Sequence, residues 1–307
     1  MVDPRYQPSQ DHLDVPYLMT LRDIVNYGSP NEDRTGVGTM SLFGVCNRYD
    51  LREYFPLLQC RRVPFKWTVK ELFWILCGNH SAKPLEDAGV EWWRQWGGED
   101  RDLGPVYGNV LRGQHWDGPS AVIQKRAGED QLIYLIEQLK APCSRRALAT
   151  MWDPDYVEFA ALPPCHGVVI QFKRGRFVQG VEYLDLCMYQ RSADWILGVP
   201  VNIASYGFFL LMMAKHLGLK PGFFCHMVGD AHVYRNHLDA ARVILDRPMK
   251  KSPKVSLGID LLGGVLHEVP FESDLPWAER FHWDNIFEDI KITGYDPFDM
   301  MKLEVAV

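Results

Sequence analysis

His166-Gly-Val-Val-Ile-Gln-Phe172, the charged step Lys173-Arg-Gly-Arg176 and the apolar-rich run from Phe177 to Tyr189 make two extended segments joined at a glycine. That pattern predicts a β-hairpin turning at 173–176. A little further on, Ile203 to Leu217 is apolar nearly all round and closes on Gly218 and Pro221-Gly222, which predicts a central helix buried on every side. Strands and helices mixed in this way, without strict alternation, predict the α+β class.

Working outward, Met40 to Tyr49 has the pattern of a strand. Thr68 to Cys77 (Thr-Val-Lys-Glu-Leu-Phe-Trp-Ile-Leu-Cys) predicts a largely buried helix stopped by Gly78, with the carboxylate of Glu71 among apolar neighbours. Leu132, Ile133, Leu135, Ile136 and Leu139 line one side of a helix expected from Asp130 to Lys140, and Pro142 ends it. Leu18, Leu21, Ile24 and Val25 recur at helical spacing up to Gly28. Residues 1–16 are polar and broken by Pro4, Pro8 and Pro16, the composition of a flexible tail. No repeat and no linker divides the rest, so one domain is expected from 17 to 307.

The composition, 47% hydrophobic and 23% charged in 307 residues, excludes a disordered or fibrous chain. Lys and Arg number 33 against 39 Asp and Glu, a net charge of −6, so no global basic field exists to make nucleic acid a primary partner. The seven cysteines include no C-x-x-C pair and no zinc-finger spacing, which points to free thiols, a reducing compartment and no metal. The N-terminus lacks a signal-peptide pattern and no long uninterrupted apolar run occurs, so a cytoplasmic protein without membrane contact is expected.

Several residues could carry chemistry. Cys165 follows the proline pair of Leu162-Pro-Pro-Cys-His-Gly167, a rigid setting that suits a nucleophile, and a guanidinium such as that of Arg191 would raise the thiolate fraction. The same pattern also describes an inert buried cysteine. Arg34, Arg145, Arg146 and Arg191 could converge on a phosphate, or each could be a surface ion pair. His232 and Tyr234 alternate and would face the same side of a strand, to bind a sugar or to complete a core. Gly36-Val-Gly38 lacks the third glycine of a dinucleotide fingerprint.

Together and in order, these segments resemble the thymidylate synthase family, from Tyr17 to Val307. The matching stretches are Asp33-Arg-Thr-Gly-Val-Gly-Thr39, Lys70-Glu-Leu-Phe-Trp74, Asp102-Leu-Gly-Pro-Val-Tyr-Gly108, Ser144-Arg-Arg146, Pro163-Pro-Cys-His166 and Gln190-Arg-Ser-Ala-Asp194. Gly198-Val-Pro-Val-Asn-Ile-Ala-Ser-Tyr206, Gly229-Asp-Ala-His-Val-Tyr234 and Tyr295-Asp-Pro297 continue the series. The resemblance implies one catalytic domain built on a large, mixed, twisted β-sheet packed with helices, the sheet forming a homodimer interface. It also implies transfer of a one-carbon unit from the cosubstrate methylene-tetrahydrofolate to carbon 5 of dUMP, with no metal.

By the same resemblance, Cys165 adds to carbon 6 of the pyrimidine, with His166 beside it. Arg34, Arg191 and Ser192 hold the 5′-phosphate, and Arg145 and Arg146 reach it from the partner subunit. His232 and Tyr234 bind the 3′-hydroxyl, and Asn202 pairs with the base. An amide can donate to a carbonyl and accept from a ring N–H, the pattern of uracil, where an Asp would suit cytosine. Glu71 organises proton transfers, its apolar surroundings favouring the protonated form, and Tyr107 takes part in removing the proton from carbon 5. Trp93, Asp194, Leu197, Gly198, Arg61 and the C-terminal Val307 form the folate side, the tail excluding water.

The folate side also holds the departures. Trp92 stands where an aliphatic residue is usual, Val201 where a Phe commonly precedes the Asn, and Arg61 where a Lys is expected. Val110-Leu111 replaces Gln-Trp, and Ala193 replaces a frequent Cys. These differences keep open a dUMP hydroxymethylase of the same fold, in which water rather than hydride attacks the shared methylene intermediate. The retained Trp93 and the complete tail favour the synthase. A catalytically lapsed RNA-binding homologue is a third reading, against which the retained Cys165, arginines, Asn202 and Glu71 speak.

Overall fold

The computed structural model describes residues 11–118, 124–125, 127–267 and 281–304. In chain order the elements are α1 (Val15–Tyr27), β1 (Ser29–Asn31), β2 (Thr39–Asp50), α2 (Phe65–Leu76), α3 (Lys83–Asp87), α4 (Tyr107–Leu111), β3 (Trp116–Asp117) and β4 (Gln124–Lys125). There follow α5 (Gln131–Lys140), β5 (Leu148–Thr150), β6 (Val169–Val178), β7 (Val181–Asp194), α6 (Gly198–His216), β8 (Lys220–Tyr234), α7 (Leu238–Leu245), β9 (Lys254–Leu257) and α8 (Leu261–His267). A short helix at Trp283–Glu288 leads into β10 (Ile290–Thr293). The class is α+β, in one domain.

Six strands form one mixed sheet in the order β1-β2-β8-β7-β6-β5, antiparallel throughout except for the parallel pair β7 and β8. Alternation along the strands sorts the two faces. Phe224, His226 and Val228 of β8, with Leu184, Leu186 and Met188 of β7, point into the core. The opposite face carries charge at Arg48, Lys173 and Asp185 but is not uniformly polar. It presents Phe43, 85% exposed, with Cys46, Met227 and the half-buried Cys187 and Cys225.

The expected central helix is α6, which packs on β7, β8 and α2. It starts at Gly198, earlier than its apolar run indicates, and nearly every residue from Val199 to Ala214 is buried. By length and composition it could cross a membrane, yet its surface is spent inside the fold. The helix α2 begins at Phe65, three residues before the expected start, and closes at Gly78, whose φ of +82° is the left-handed conformation favouring glycine.

Two expectations need correction. The hairpin between β6 and β7 does not turn at 173–176. The ladder runs through that step with a register shift between Arg174 and Arg176, so Gly175 marks a β-bulge. The turn is Gln179-Gly180, with φ of +51° and +79° between the paired Val178 and Val181, the two-residue geometry that matches strand twist. The N-terminal tail is also shorter than 1–16. Leu13 and Asp14 are buried, and the Asp14 carboxylate accepts the backbone N–H groups of Gln59 and Cys60 at 2.9 and 2.6 Å. Pro16 lies in the first turn of α1, where its missing N–H costs nothing; residues 1–10 of the expected tail lie outside the described residues.

Because Gly180 holds a left-handed backbone, Gly180→Val should destabilise the protein by about 1–2 kcal/mol, whereas a turn at Gly175 would leave it unaffected. Urea unfolding of the two proteins measures the difference.

Candidate active site

Two cavities lie near the C-terminal ends of the parallel strands β7 and β8, where Asp194, in one lining, pairs with His232, in the other. The larger, about 780 Å³, takes Glu71 from α2, Tyr107 from α4, Cys165 and His166 from the loop before β6, and Asn202 from the first turns of α6. Its wall is Trp67, Trp92, Trp93 and Trp96, with Leu197, Gly198, Val201, Arg61, Asp194 and Met300. The smaller, about 430 Å³, is polar and lined by Asp33, Arg34, Ser192, Asp230, His232 and Tyr234 among others.

Cys165 is fastened on three sides. Its N–H donates to the Tyr107 hydroxyl at 3.0 Å, and its sulfur lies 3.4 Å from that same oxygen. Its carbonyl accepts the N–H of Arg191 at 2.8 Å. The Arg191 guanidinium donates through Nε to the Pro164 carbonyl at 2.9 Å and through Nη2 to that of Pro163 at 3.1 Å. Arg191 therefore holds the Cys165 loop, and its cation also lies 5.5 Å from the centre of the Trp152 ring. Burial pushes the thiol up, and the Tyr107 hydroxyl and the Arg191 charge only partly offset it. Arg191 thus acts in the expected direction, towards the thiolate, but desolvation of the anion outweighs it and the net shift is upward.

His166 stacks on Tyr107 with ring centres 4.5 Å apart, and its Nδ1 lies 2.9 Å from the Tyr206 hydroxyl. Burial pushes its pKa down to about 3, so the ring is neutral. Gly167 turns the chain with a φ of +61°, and a Cβ there would collide with the Tyr206 hydroxyl. Across the cavity, Glu71 accepts two indole N–H groups on one oxygen, from Trp92 at 2.8 Å and Trp93 at 2.6 Å. Burial raises its carboxyl to about 7, with the two indoles pulling the other way. The buried Asn202 amide makes no hydrogen bond to the described residues.

On the opposite wall, Asp194 Oδ1 accepts the N–H groups of Ile196 and Leu197 at 2.9 and 3.1 Å and so shapes the entry to α6. The Arg61 guanidinium donates to the Ile196 carbonyl, while its buried Nε has no partner among the described residues. In the smaller cavity Asp33 accepts from Gly38 N–H and the Thr35 hydroxyl, so Gly36 and Gly38, both at φ of +74°, serve a loop. Burial opposes charge on His232, but the Asp230 carboxylate, 3.1 Å from Nδ1, outweighs it and raises the pKa. His232 and Tyr234 share a face as expected, ring centres 5.2 Å apart.

Not every expected residue comes together. Arg145 and Arg146 are exposed just before β5, at the sheet edge opposite to β1 and Arg34. Five strand spacings separate those edges, roughly 24 Å. Within one chain there is no four-arginine clamp. Leu111 is buried in α4 and lines neither cavity, while Trp92 and Val201 do line the larger one. The assignment of Val307 lies outside the described residues. Sequence reasoning missed Tyr206 and Trp152 as partners in the site; Tyr206 closes the motif that begins at Gly198, but only the fold shows that its hydroxyl reaches back to His166.

The family model described as thymidylate synthase matches residues 15–307. The chain belongs to the thymidylate synthase family. It is accordingly an enzyme of the type that methylates or hydroxymethylates dUMP with methylene-tetrahydrofolate as cosubstrate. Among the described residues no group of three or more His, Cys, Asp or Glu could hold a metal ion.

Removing the Tyr107 hydroxyl takes away a hydrogen bond that favours the Cys165 thiolate. Tyr107→Phe should raise the thiol further and slow its alkylation by iodoacetamide at pH 8 about three- to tenfold. Peptide mass spectrometry separates Cys165 from the exposed Cys46 and Cys143.

Proposed function

We propose that the protein is a thymidylate synthase, converting dUMP and methylene-tetrahydrofolate to dTMP and dihydrofolate through a covalent Cys165 adduct. The observation that carries this reading is the convergence of the Cys165 thiol, the Glu71 carboxyl and the unpartnered Asn202 amide on one indole-walled cavity. In this reading Asn202 orients the uracil edge, and the phosphate-bearing end enters the smaller cavity beside Arg34 and Ser192, with His232 and Tyr234 at the sugar. The Cys165 sulfur adds to carbon 6, which makes carbon 5 nucleophilic. Tyr107, 3.4 Å from that sulfur, is placed to exchange protons there. Neutral His166 supports Tyr107 from behind, and Glu71 supplies and recovers a proton at the ring.

The folate fits the other half. Four indoles, Trp67 edge-on to Trp92 and Trp93 edge-on to Trp96, offer an aromatic wall to a ring system, and the spare oxygen of Asp194 offers a polar contact. When bound, it supplies the one-carbon unit and the hydride. The buried Trp93 and its neighbours keep the reacting centre dry, which supports hydride transfer over hydration. The small Val201 beside Asn202 is what favours the alternative, a dUMP hydroxymethylase that admits water at this wall.

We further propose a homodimer joined through the open face of the sheet. Two features support it: the exposed Phe43 and Met227 with the half-buried Cys187 and Cys225 on that face, and the distance of Arg145 and Arg146 from the site of their own chain. A second copy would bring those arginines to the phosphate. We also propose that the reaction takes place in the cytoplasm, a reading that the seven cysteines without a disulfide support.

The test is incubation with dUMP and methylene-tetrahydrofolate, following absorbance at 340 nm and weighing the nucleotide. Rising absorbance with dTMP establishes the synthase; a flat trace with hydroxymethyl-dUMP establishes the alternative; no nucleotide product refutes both. Cys165→Ser should abolish the covalent complex with dUMP and a folate analogue. As proton donor, Glu71 is protonated below its value of about 7, so the rate should fall as pH rises through that value. Glu71→Gln should lose that limb and about 10²–10⁴ in rate.

A further inference from the structure

Both indole donors at Glu71 converge on the same oxygen, Oε1, at 2.8 Å from Trp92 and 2.6 Å from Trp93. A neutral carboxyl carries its hydrogen on one oxygen, and that oxygen is the poorer acceptor. Oε2 has no hydrogen-bond partner among the described residues and is not sealed from the cavity. Protonation of Oε1 would weaken two hydrogen bonds at once, whereas with Trp93 alone it would weaken one.

Resting on the reading of Glu71 as the proton donor, we propose that Trp92 is a positioning residue that, with Trp93, confines the acid proton of Glu71 to Oε2, the oxygen open to substrate. The two indoles are held differently. Trp93 is locked in the core between Trp74, Trp96 and Tyr107, with ring centres 5.6 to 5.9 Å away. Trp92 stands at the rim, braced edge-on against Trp67 at 5.8 Å. It can therefore be replaced without opening the core, and it is the departure at this wall that touches a proton-transfer group.

The surroundings let Glu71 titrate alone. Cys165, Tyr107 and Tyr206 are all pushed up by burial, and His166 is held near 3, so none of them changes charge around pH 7. Arg61, Asp194, Glu91 and Arg94 are the remaining charged side chains lining the cavity.

The experiment is isotope-edited infrared titration of the unliganded full-length protein with labelled Glu carboxyls, Glu71→Gln identifying the band. Trp92→Phe keeps a ring but loses the donor. It should raise the Glu71 midpoint by about one pH unit and move the acid C=O band to higher wavenumber. In turnover, the alkaline limb should shift with it, and kcat should fall severalfold at unchanged KM for dUMP. Trp92→Leu should shift the titration equally, because both variants lack the N–H. A Phe variant with midpoint and band unchanged overturns the proposal and leaves Trp92 a packing residue. A wild-type acid band at the frequency of an unbonded carboxyl overturns it without any variant. If wild type makes no product from dUMP, the reaction reading fails instead, and the titration still decides where the proton lies.

Discussion

The parallel pairing of β7 with β8 is the constraint on which the rest depends, in a sheet whose other pairings are antiparallel. Two adjacent strands that run the same way end at the same side. Arg191, Ser192 and Asp194 on one are thereby set beside Asp230, His232 and Tyr234 on the other. Parallel neighbours need a crossover, and here α6 is that crossover. Its entry is fixed by Asp194, and its first turns carry Val201 and Asn202 into the larger cavity. One topological choice thus delivers a strand end and a helix start to the same cavity.

The Cys165 loop is attached to this frame through Arg191. A cation that could have been free to hold an anion is largely occupied with the carbonyls of Pro163 and Pro164. Two prolines restrict the chain before Cys165, and the arginine fixes the direction of their carbonyls. Rigidity at the sulfur comes from this pairing of fixed backbone with a planar guanidinium fork.

Much of this was legible in the sequence where the signal was local and repetitive. The apolar run at 203–217 announced α6, and the alternation of His232 with Tyr234 placed them on one face. The hairpin was legible, but its turn was not. Gly175 and Gly180 are equal as letters, and only pairing partners decide which one bends and which one bulges. Likewise Pro16 looked like a breaker, although at the first turn of α1 it is compatible with the helix. Site contacts made across long separations, such as Tyr206 with His166 or Trp92 with Glu71, leave no local trace at all. The four arginines were grouped by chemistry, and sheet order then set Arg34 near one edge, Arg145 and Arg146 at the other and Arg191 on the interior strand β7.

A resting Cys165 that is predominantly thiol is also a durable one. Oxidants attack the thiolate, and successive oxidation of a cysteine ends in acids that cannot be reduced back. Between turnovers, burial shields the sulfur by keeping its proton on. The same desolvation that makes the thiol sluggish towards an electrophile also makes it slow to be lost to oxidation.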